Sequence, residues 1–151
     1  MPVLSAVLSA LHLIALAIGL PAVFLRGRAL KGPLDAAGVS RVLAADSVWG
    51  IAALLWLATG LMRAFGGFEK GAEIYLHNRL FHAKLGLFIL ILLLEIRPMV
   101  TLIRWRIARA KGLAPDTSSA KALYLLNHIE LAVVVVMIFV AAFMARGFGA
   151  R

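Results

Sequence analysis

Four long apolar stretches, separated by short polar ones, make up most of this chain. They cover residues 3–25, 42–65, 75–104 and 119–145. Each exceeds the ~18 residues that separate a membrane-spanning helix from a buried helix of a soluble domain. The apolar residues run continuously instead of alternating with polar ones, which excludes a transmembrane β-barrel. We therefore predict an all-α, polytopic membrane protein with a single domain, a bundle of four transmembrane helices.

Composition supports the membrane assignment. Of the 151 residues, 63% are hydrophobic and 15% are charged, and the mean hydropathy is +0.97. The net charge of +9 would suggest nucleic acid as a partner of a soluble protein. Here no soluble domain presents the basic residues, so we expect no nucleic-acid binding.

The basic residues instead predict a topology. Most of them gather around two of the polar segments, the first and the third: Arg26, Arg28, Lys31, Arg41, Arg104, Arg106, Arg109, Lys111 and Lys121. By the positive-inside rule these segments face the cytoplasm. Both termini and the segment 68–78 then lie outside it. Because Arg26 is the first basic side chain, the first apolar stretch lacks the basic start of a signal peptide, and we predict that it is a mature helix.

The absence of cysteine narrows the chemistry. It excludes disulfides, thiolate metal sites, iron–sulfur clusters and covalently attached c-type haem. Any metal or haem would need histidine, methionine, tyrosine, lysine or carboxylate ligands.

Two histidines fall at similar depths in the outer half of the bundle. At ~1.5 Å per residue, His12 lies roughly 13 Å and His82 roughly 10 Å below the outer helix ends. Gly86, one turn from His82, leaves space for a flat ligand, so these residues form a candidate metal or cofactor site. The alternative for His12 is a hydrogen bond to a serine or a backbone carbonyl. Lys84 points away from His82. It is either a functional residue with a different partner or a lysine whose side chain extends to the outer interface.

Four ionisable residues fall in the inner half: Asp46, Glu95, His128 and Glu130. Ionisable groups inside a membrane are costly and are functional candidates by default. Glu95 is too deep and too short to reach water, so we expect it to be protonated or paired with Arg97, His128 or a neighbouring helix. Trp49 and Trp56 are candidates for either packing or interfacial residues.

The outer loop before the third helix carries a separate polar group: Glu69, Lys70, Tyr75, His77 and Asn78. Its simplest interpretation is a solvated surface. Its alternative is a contact surface for another protein.

Two resemblances add to these expectations. The run FEKGAEIYLHNRLFHAKLGLF, with four helices, closely resembles a bacterial family of predicted membrane proteins of unknown function. That resemblance spans nearly the whole chain and implies an inner-membrane location without implying an activity.

The chain also resembles, more distantly, the small membrane protoporphyrinogen oxidases (the HemJ-like family). The shared features are a leucine-flanked histidine in the first helix (His12), an H-x-K-L pattern opening the third (His82, Lys84) and an L-N-E-like pattern in the last, where this chain has LNHIE. The resemblance implies haem b ligation by His12 and His82, and a role for Lys84 in catalysis, either at a porphyrin propionate or in proton transfer. His128 replaces the glutamate of that pattern, and the charged pattern early in that family's second helix is absent.

Three functions follow as alternatives. The first is a haem b- or porphyrin-binding oxidoreductase that passes electrons to a quinone or another carrier. The second is a proton- or cation-coupled transport subunit that uses the inner-half residues and forms oligomers. The third is a non-catalytic partner or assembly subunit of a larger complex, with the outer loop as its contact surface.

Overall fold

The computed structural model describes residues 2–67 and 76–149, which form four helices. They are α1 (Pro2–Lys31), α2 (Ala36–Phe65), α3 (Arg79–Ala110) and α4 (Ala120–Ala145). All four are long and apolar enough to cross a membrane, and the described residues include no strand. The predicted all-α membrane fold is confirmed.

The helices extend further at the basic end of the bundle than the hydropathy pattern predicts. We define the basic end by the ends of α1 and α3 and the starts of α2 and α4. There α1, α2 and α3 each continue six residues past their predicted limits. A helix of 30 residues is ~45 Å long, which matches a bilayer with its headgroup regions. The basic residues end the apolar pattern but not the helix, because long cationic side chains reach the headgroups from a helical backbone.

The helices are packed unequally. α1 packs closely against α2 and also contacts α4, α3 packs mainly against α4, and α2 approaches α3 only slightly. α1 and α3 are therefore diagonal in the bundle, and the edge between α2 and α3 is loose. On the tight α1–α2 side, Gly19 brings the helices so close that a Cβ atom there would lie 3.0 Å from the Trp49 ring. Trp49 and Trp56 are both buried, so they are packing residues.

Two apolar clusters lie above and below a polar layer. The outer one includes Ala22, Trp49, Ile91 and Val134. The one at the basic end contains Leu30, Val42, Leu102, Trp105, Leu123 and their neighbours. Between these clusters each of the four helices carries at least one polar residue that is buried or partly buried, and these residues form the candidate site.

Candidate functional site: a buried arginine and three carboxyl groups

Arg26 lies at the centre of the polar layer with no exposed surface. Its Nη1 donates to Asp46 Oδ1 (2.8 Å) and Glu95 Oε1 (2.6 Å). Its Nη2 donates to Glu95 Oε2 (2.8 Å) and Glu130 Oε2 (2.7 Å), and its Nε donates to Asn127 Oδ1 (2.7 Å). A guanidinium has five N–H groups, and all five are used. One side chain thus links α1 to α2, α3 and α4.

Asn127 holds this arrangement against the backbone of α1. While its oxygen accepts from Arg26, its Nδ2 donates to the Val23 carbonyl at 2.8 Å. Gly27 gives the amide room, since a Cβ atom at this position would lie 2.7 Å from Asn127 Nδ2. The small residue beside Arg26 is therefore part of the site.

Asp46 connects the buried arginine to the surface. Its Oδ1 accepts from Arg26 and its Oδ2 accepts from Arg106 Nη2, both at 2.8 Å. The Arg106 side chain is 36% exposed, whereas that of Arg26 is fully buried. A continuous chain of ionic groups therefore runs from the bundle interior towards the basic end.

The cluster formed by Arg26, Arg106, Asp46, Glu95 and Glu130 is not charge-balanced. If every group is ionised, three carboxylates face two guanidinium groups. An uncompensated charge away from water is costly, and such sites usually neutralise by protonation or by binding a counter-ion. One proton on one carboxyl group makes the cluster neutral.

Glu95 and Glu130 are the two residues that we expect to share that proton. Both accept from Arg26 Nη2, Glu95 Oε2 at 2.8 Å and Glu130 Oε2 at 2.7 Å, so their carboxyl groups are held close together. Two like charges held this close disfavour each other, which favours a proton on one of the two carboxyl groups. Within the described part of the chain, Glu130 Oε1 is buried with no hydrogen-bond partner.

The predicted inner-half group is thus brought together in part. Asp46, Glu95 and Glu130 meet at Arg26. His128 does not join them: it is exposed, its Nδ1 bonds the Tyr124 carbonyl at 2.9 Å, and its ring lies 4.1 Å from the Tyr124 ring.

Arg26 is the residue that sequence reasoning missed, because it was placed in a cytoplasmic loop. It lies inside α1 and is the partner of Glu95, so of the three expected partners the neighbouring helix is confirmed, and Arg97 and His128 are not the partners. The signal was present in the helical spacing. Arg26 follows Ala15, Gly19 and Ala22 at intervals of three or four residues, on the face that packs into the bundle.

Comparison with known proteins assigns nearly the whole chain to a family. The profile of a family described as predicted membrane protein, DUF2214, matches residues 4–149. The chain belongs to this family. No curated protein and no solved structure matches it. For this DUF2214 protein the comparisons therefore support a membrane protein of four apolar helices.

His12 of the DUF2214 chain contacts α2. Its Nδ1 lies 2.9 Å from Thr59 Oγ1, and its ring is tilted against Trp56 with centroids 5.8 Å apart. Thr59 has a single hydroxyl hydrogen, which points to the Leu55 carbonyl at 2.7 Å. His12 therefore carries its proton on Nδ1 and donates it to Thr59. This is the hydrogen-bonded alternative considered for His12, with threonine in place of serine.

His82 faces outward from α3. Together with Gly86 it is exposed, whereas Lys84 is half-buried on the side of α3 that also carries the buried Phe81 and Ile91. His82 Nδ1 donates to the Asn78 carbonyl at 3.1 Å, one turn earlier. A Cβ atom placed at Gly86 would have nothing within 4 Å, because this position lies on the exposed side of α3. The space for a flat ligand beside His82 stays a prediction.

The described residues do not bring His12 and His82 together. The rings lie on diagonal helices, and one faces α2 while the other faces outward. A single iron held by both rings does not fit this arrangement. Haem b binding stays a prediction.

The outer loop lies partly outside the described residues, which leave out Glu69, Lys70 and Tyr75. His77 is exposed. Asn78 has a structural role: it caps α3 by accepting from the Leu80 and Phe81 N–H groups, and its Nδ2 donates to the Phe148 carbonyl of the C-terminal tail at 3.1 Å.

Proposed function

We propose that this protein binds and releases a proton at the Glu95–Glu130 pair, as the coupling step of a proton-coupled membrane transport subunit. The observation that carries the proposal is that both carboxyl groups accept from one nitrogen of a buried arginine. Since two carboxyl groups held this close favour a single negative charge, the pair is a one-proton site. Arg26 fixes the geometry and keeps the second carboxyl group charged.

A purely structural role explains less of this arrangement. Buried ion pairs often contribute no more stability than apolar residues of similar size. A structural tie for one arginine also needs one carboxylate, whereas Arg26 has three. The excess of acidic over basic groups is what a site that changes its protonation requires.

The two members of the pair differ in burial. Glu95 keeps 22% of its side chain exposed, whereas Glu130 keeps 1%. Glu95 is therefore the member at which we expect a proton to enter and leave the pair. Asp46 and Arg106 supply a polar connection from the cluster towards the basic end.

The proposal includes a location and an assembly. We place the protein in the bacterial inner membrane with its basic end in the cytoplasm and both termini outside. A single bundle of four helices is small for a transport path, so we propose that several copies assemble. The proton site would then lie in the cytoplasmic half of the membrane.

The proton site is tested by infrared difference spectroscopy on the purified protein in lipid. We expect the wild type to show the C=O band of a protonated carboxyl group, which disappears in both Glu95→Gln and Glu130→Gln. Both substitutions keep side-chain size and remove the excess negative charge. Asp116→Asn, in the α3–α4 loop, is the matched control and should leave the band unchanged. A spectrum without the band, or a band that survives both glutamine variants, would contradict the proposal.

Transport is tested separately in proteoliposomes that contain a pH-sensitive dye. With a membrane potential imposed, wild-type vesicles should take up protons at least tenfold faster than Glu130→Gln vesicles, and Asp116→Asn should match the wild type. An infrared band without flux would keep the proton site and support a non-catalytic partner subunit instead of a transporter.

Haem binding is the second candidate, and one observation favours it at His82. A histidine that donates from Nδ1 to a carbonyl presents Nε2 as a ligand, as metal-binding histidines commonly do. Protein purified from haem-replete cells would then show a Soret band that His82→Ala weakens. Colourless protein would count against haem, and with it against electron transfer to a quinone or porphyrin substrate.

A further inference from the structure

We propose that a groove between α1 and α2 at the basic end binds the phosphate headgroup of an anionic phospholipid. The groove has a volume of about 680 Å³, and its lining includes Leu25, Arg28, Arg41, Ala44, Ala45 and Val48. It opens to the side, on the surface of α1 and α2 that faces away from the interior of the bundle, and its lining does not include the Arg26 cluster. This site goes beyond the proposed proton chemistry and does not depend on it.

The groove has the polarity that a phospholipid requires. Arg28 lies one turn from the end of α1, and Arg41 lies five residues into α2. Both therefore lie within ~8 Å of the helix ends, at the level of the headgroups. Leu25 and Val48 lie deeper and are exposed, as is Ile51 beyond them. A headgroup on the two arginines would leave its acyl chains along this apolar surface.

Within the described part of the chain, Arg28 and Arg41 have no competing partner. Arg26 and Arg106 are engaged with carboxylates, and Lys31 lies over the Tyr124 ring. Across residues 2–67 and 76–149, by contrast, Arg28 and Arg41 make no hydrogen bond, ion pair or ring contact. Two guanidinium groups at the rim of one groove can hold a phosphate through several N–H groups at once. Basic pockets between transmembrane helices on the cytoplasmic side recognise anionic headgroups in this way.

The floor of the groove is built from small residues. Ala44 and Ala45 face Ala29 and Gly32 across it, so the space exists because no large side chain fills it. A larger side chain at Ala45 would occupy the groove without changing any charge. This offers a variant that separates shape from charge.

Native mass spectrometry of the full-length protein, extracted from bilayers of equal phosphatidylglycerol and phosphatidylcholine, tests the proposal. We expect the wild type to retain a phosphatidylglycerol molecule in preference to phosphatidylcholine. The double variant Arg28→Gln/Arg41→Gln should reduce that retention about thirtyfold, since each basic residue near a membrane surface contributes about 1 kcal/mol. Arg104→Gln/Arg109→Gln removes two exposed arginines from the same end of the bundle and should retain the lipid.

Equal losses in both double variants would overturn the site, because they would show general attraction to the basic end. So would wild-type protein that does not distinguish the two lipids. If the groove double variant does not fold, Ala45→Phe decides the question, since it should lose the lipid while every arginine is present. Added inorganic phosphate should not displace the lipid. Displacement would show a small-anion site and would overturn the assignment to a phospholipid.

Discussion

The two halves of the bundle treat their polar residues differently. Near the basic end, Arg26 is fully buried and joins four helices through acceptors on α2, α3 and α4. In the outer half, His12 bonds Thr59 of α2, and His82 bonds the N-cap residue of its own helix. The inner residues form a network, whereas the outer residues form separate local contacts.

Side-chain chemistry explains the difference. A guanidinium carries five donors on a long stem, so one residue can reach several helices and still satisfy every N–H group. An imidazole has one donor and one acceptor when neutral, and a single nearby oxygen satisfies its donor. Matching depth is therefore a weak guide to contact between two histidines, while an excess of intramembrane carboxylates is a strong guide to a buried cation.

The largest expected effect is that of Arg26→Met, which removes the cation and leaves three carboxyl groups without their shared donor. Breaking a buried ion pair by removing one partner typically costs about 3–5 kcal/mol. We expect a loss of that size in the free energy of unfolding, measured by denaturant titration in detergent micelles. Arg104→Met, at an exposed arginine of α3, should change it by less than about 0.5 kcal/mol.

A charge-neutral version tests whether the loss comes from the unpaired acids. Adding Asp46→Asn, Glu95→Gln and Glu130→Gln to Arg26→Met removes every unpaired charge, and much of the stability should return. If it does not return, Arg26 stabilises the bundle by packing and not by its charge, and the contrast with the outer half would lose its basis.

The second effect concerns Gly27. In Gly27→Ala the new Cβ meets the Asn127 amide, which must move from Arg26 and Val23. Overpacking of this kind costs about 1–3 kcal/mol. Gly50→Ala and Gly86→Ala are matched controls, because a Cβ at either position meets nothing within 4 Å. Both should be neutral or stabilising, since alanine favours the helix over glycine. Equal losses at all three positions would contradict a specific role for Gly27.

The sequence predicted the fold because each apolar stretch is too long for a buried helix of a soluble domain and long enough to span a membrane. It also predicted an inner-half group of four residues, since a carboxyl group deep in an apolar run needs a partner, and three of the four meet at Arg26. It allowed a partner on a neighbouring helix but did not identify Arg26 as that partner. Arg26 follows directly on an apolar run and near other basic residues, so the positive-inside pattern assigned it to a loop, whereas the small residues of α1 continue the packing face onto it.

The outer half was less predictable for a physical reason. Helix rotation separates His82 from Lys84, but it does not tell which side of α3 faces the bundle. The buried Phe81 and Ile91 and the contact of Glu95 with Arg26 determine that choice. The side of α3 that carries Lys84 therefore turns inward, and the His82 side turns outward.

A smaller effect is expected at the edge of the network. Arg106→Gln removes a partly exposed guanidinium that shares Asp46 with Arg26. Ion pairs of such exposure contribute about 0.2–1 kcal/mol, and Arg26 still holds the carboxylate. We expect a loss within that range by the same denaturant titration. A loss as large as that of Arg26→Met would mean that the network depends on its outer end.

The smallest expected effect is in the outer half, and it tests directly whether the two histidines are independent of each other. A double-mutant cycle of His12→Ala and Thr59→Val should give a coupling of about 0.6 kcal/mol, the average for hydrogen bonds between membrane helices. A cycle of His12→Ala with His82→Ala should give no measurable coupling, because the two rings do not meet. A coupling above about 1 kcal/mol in that second cycle would show that the histidines act together, and would revive a shared ligand between them.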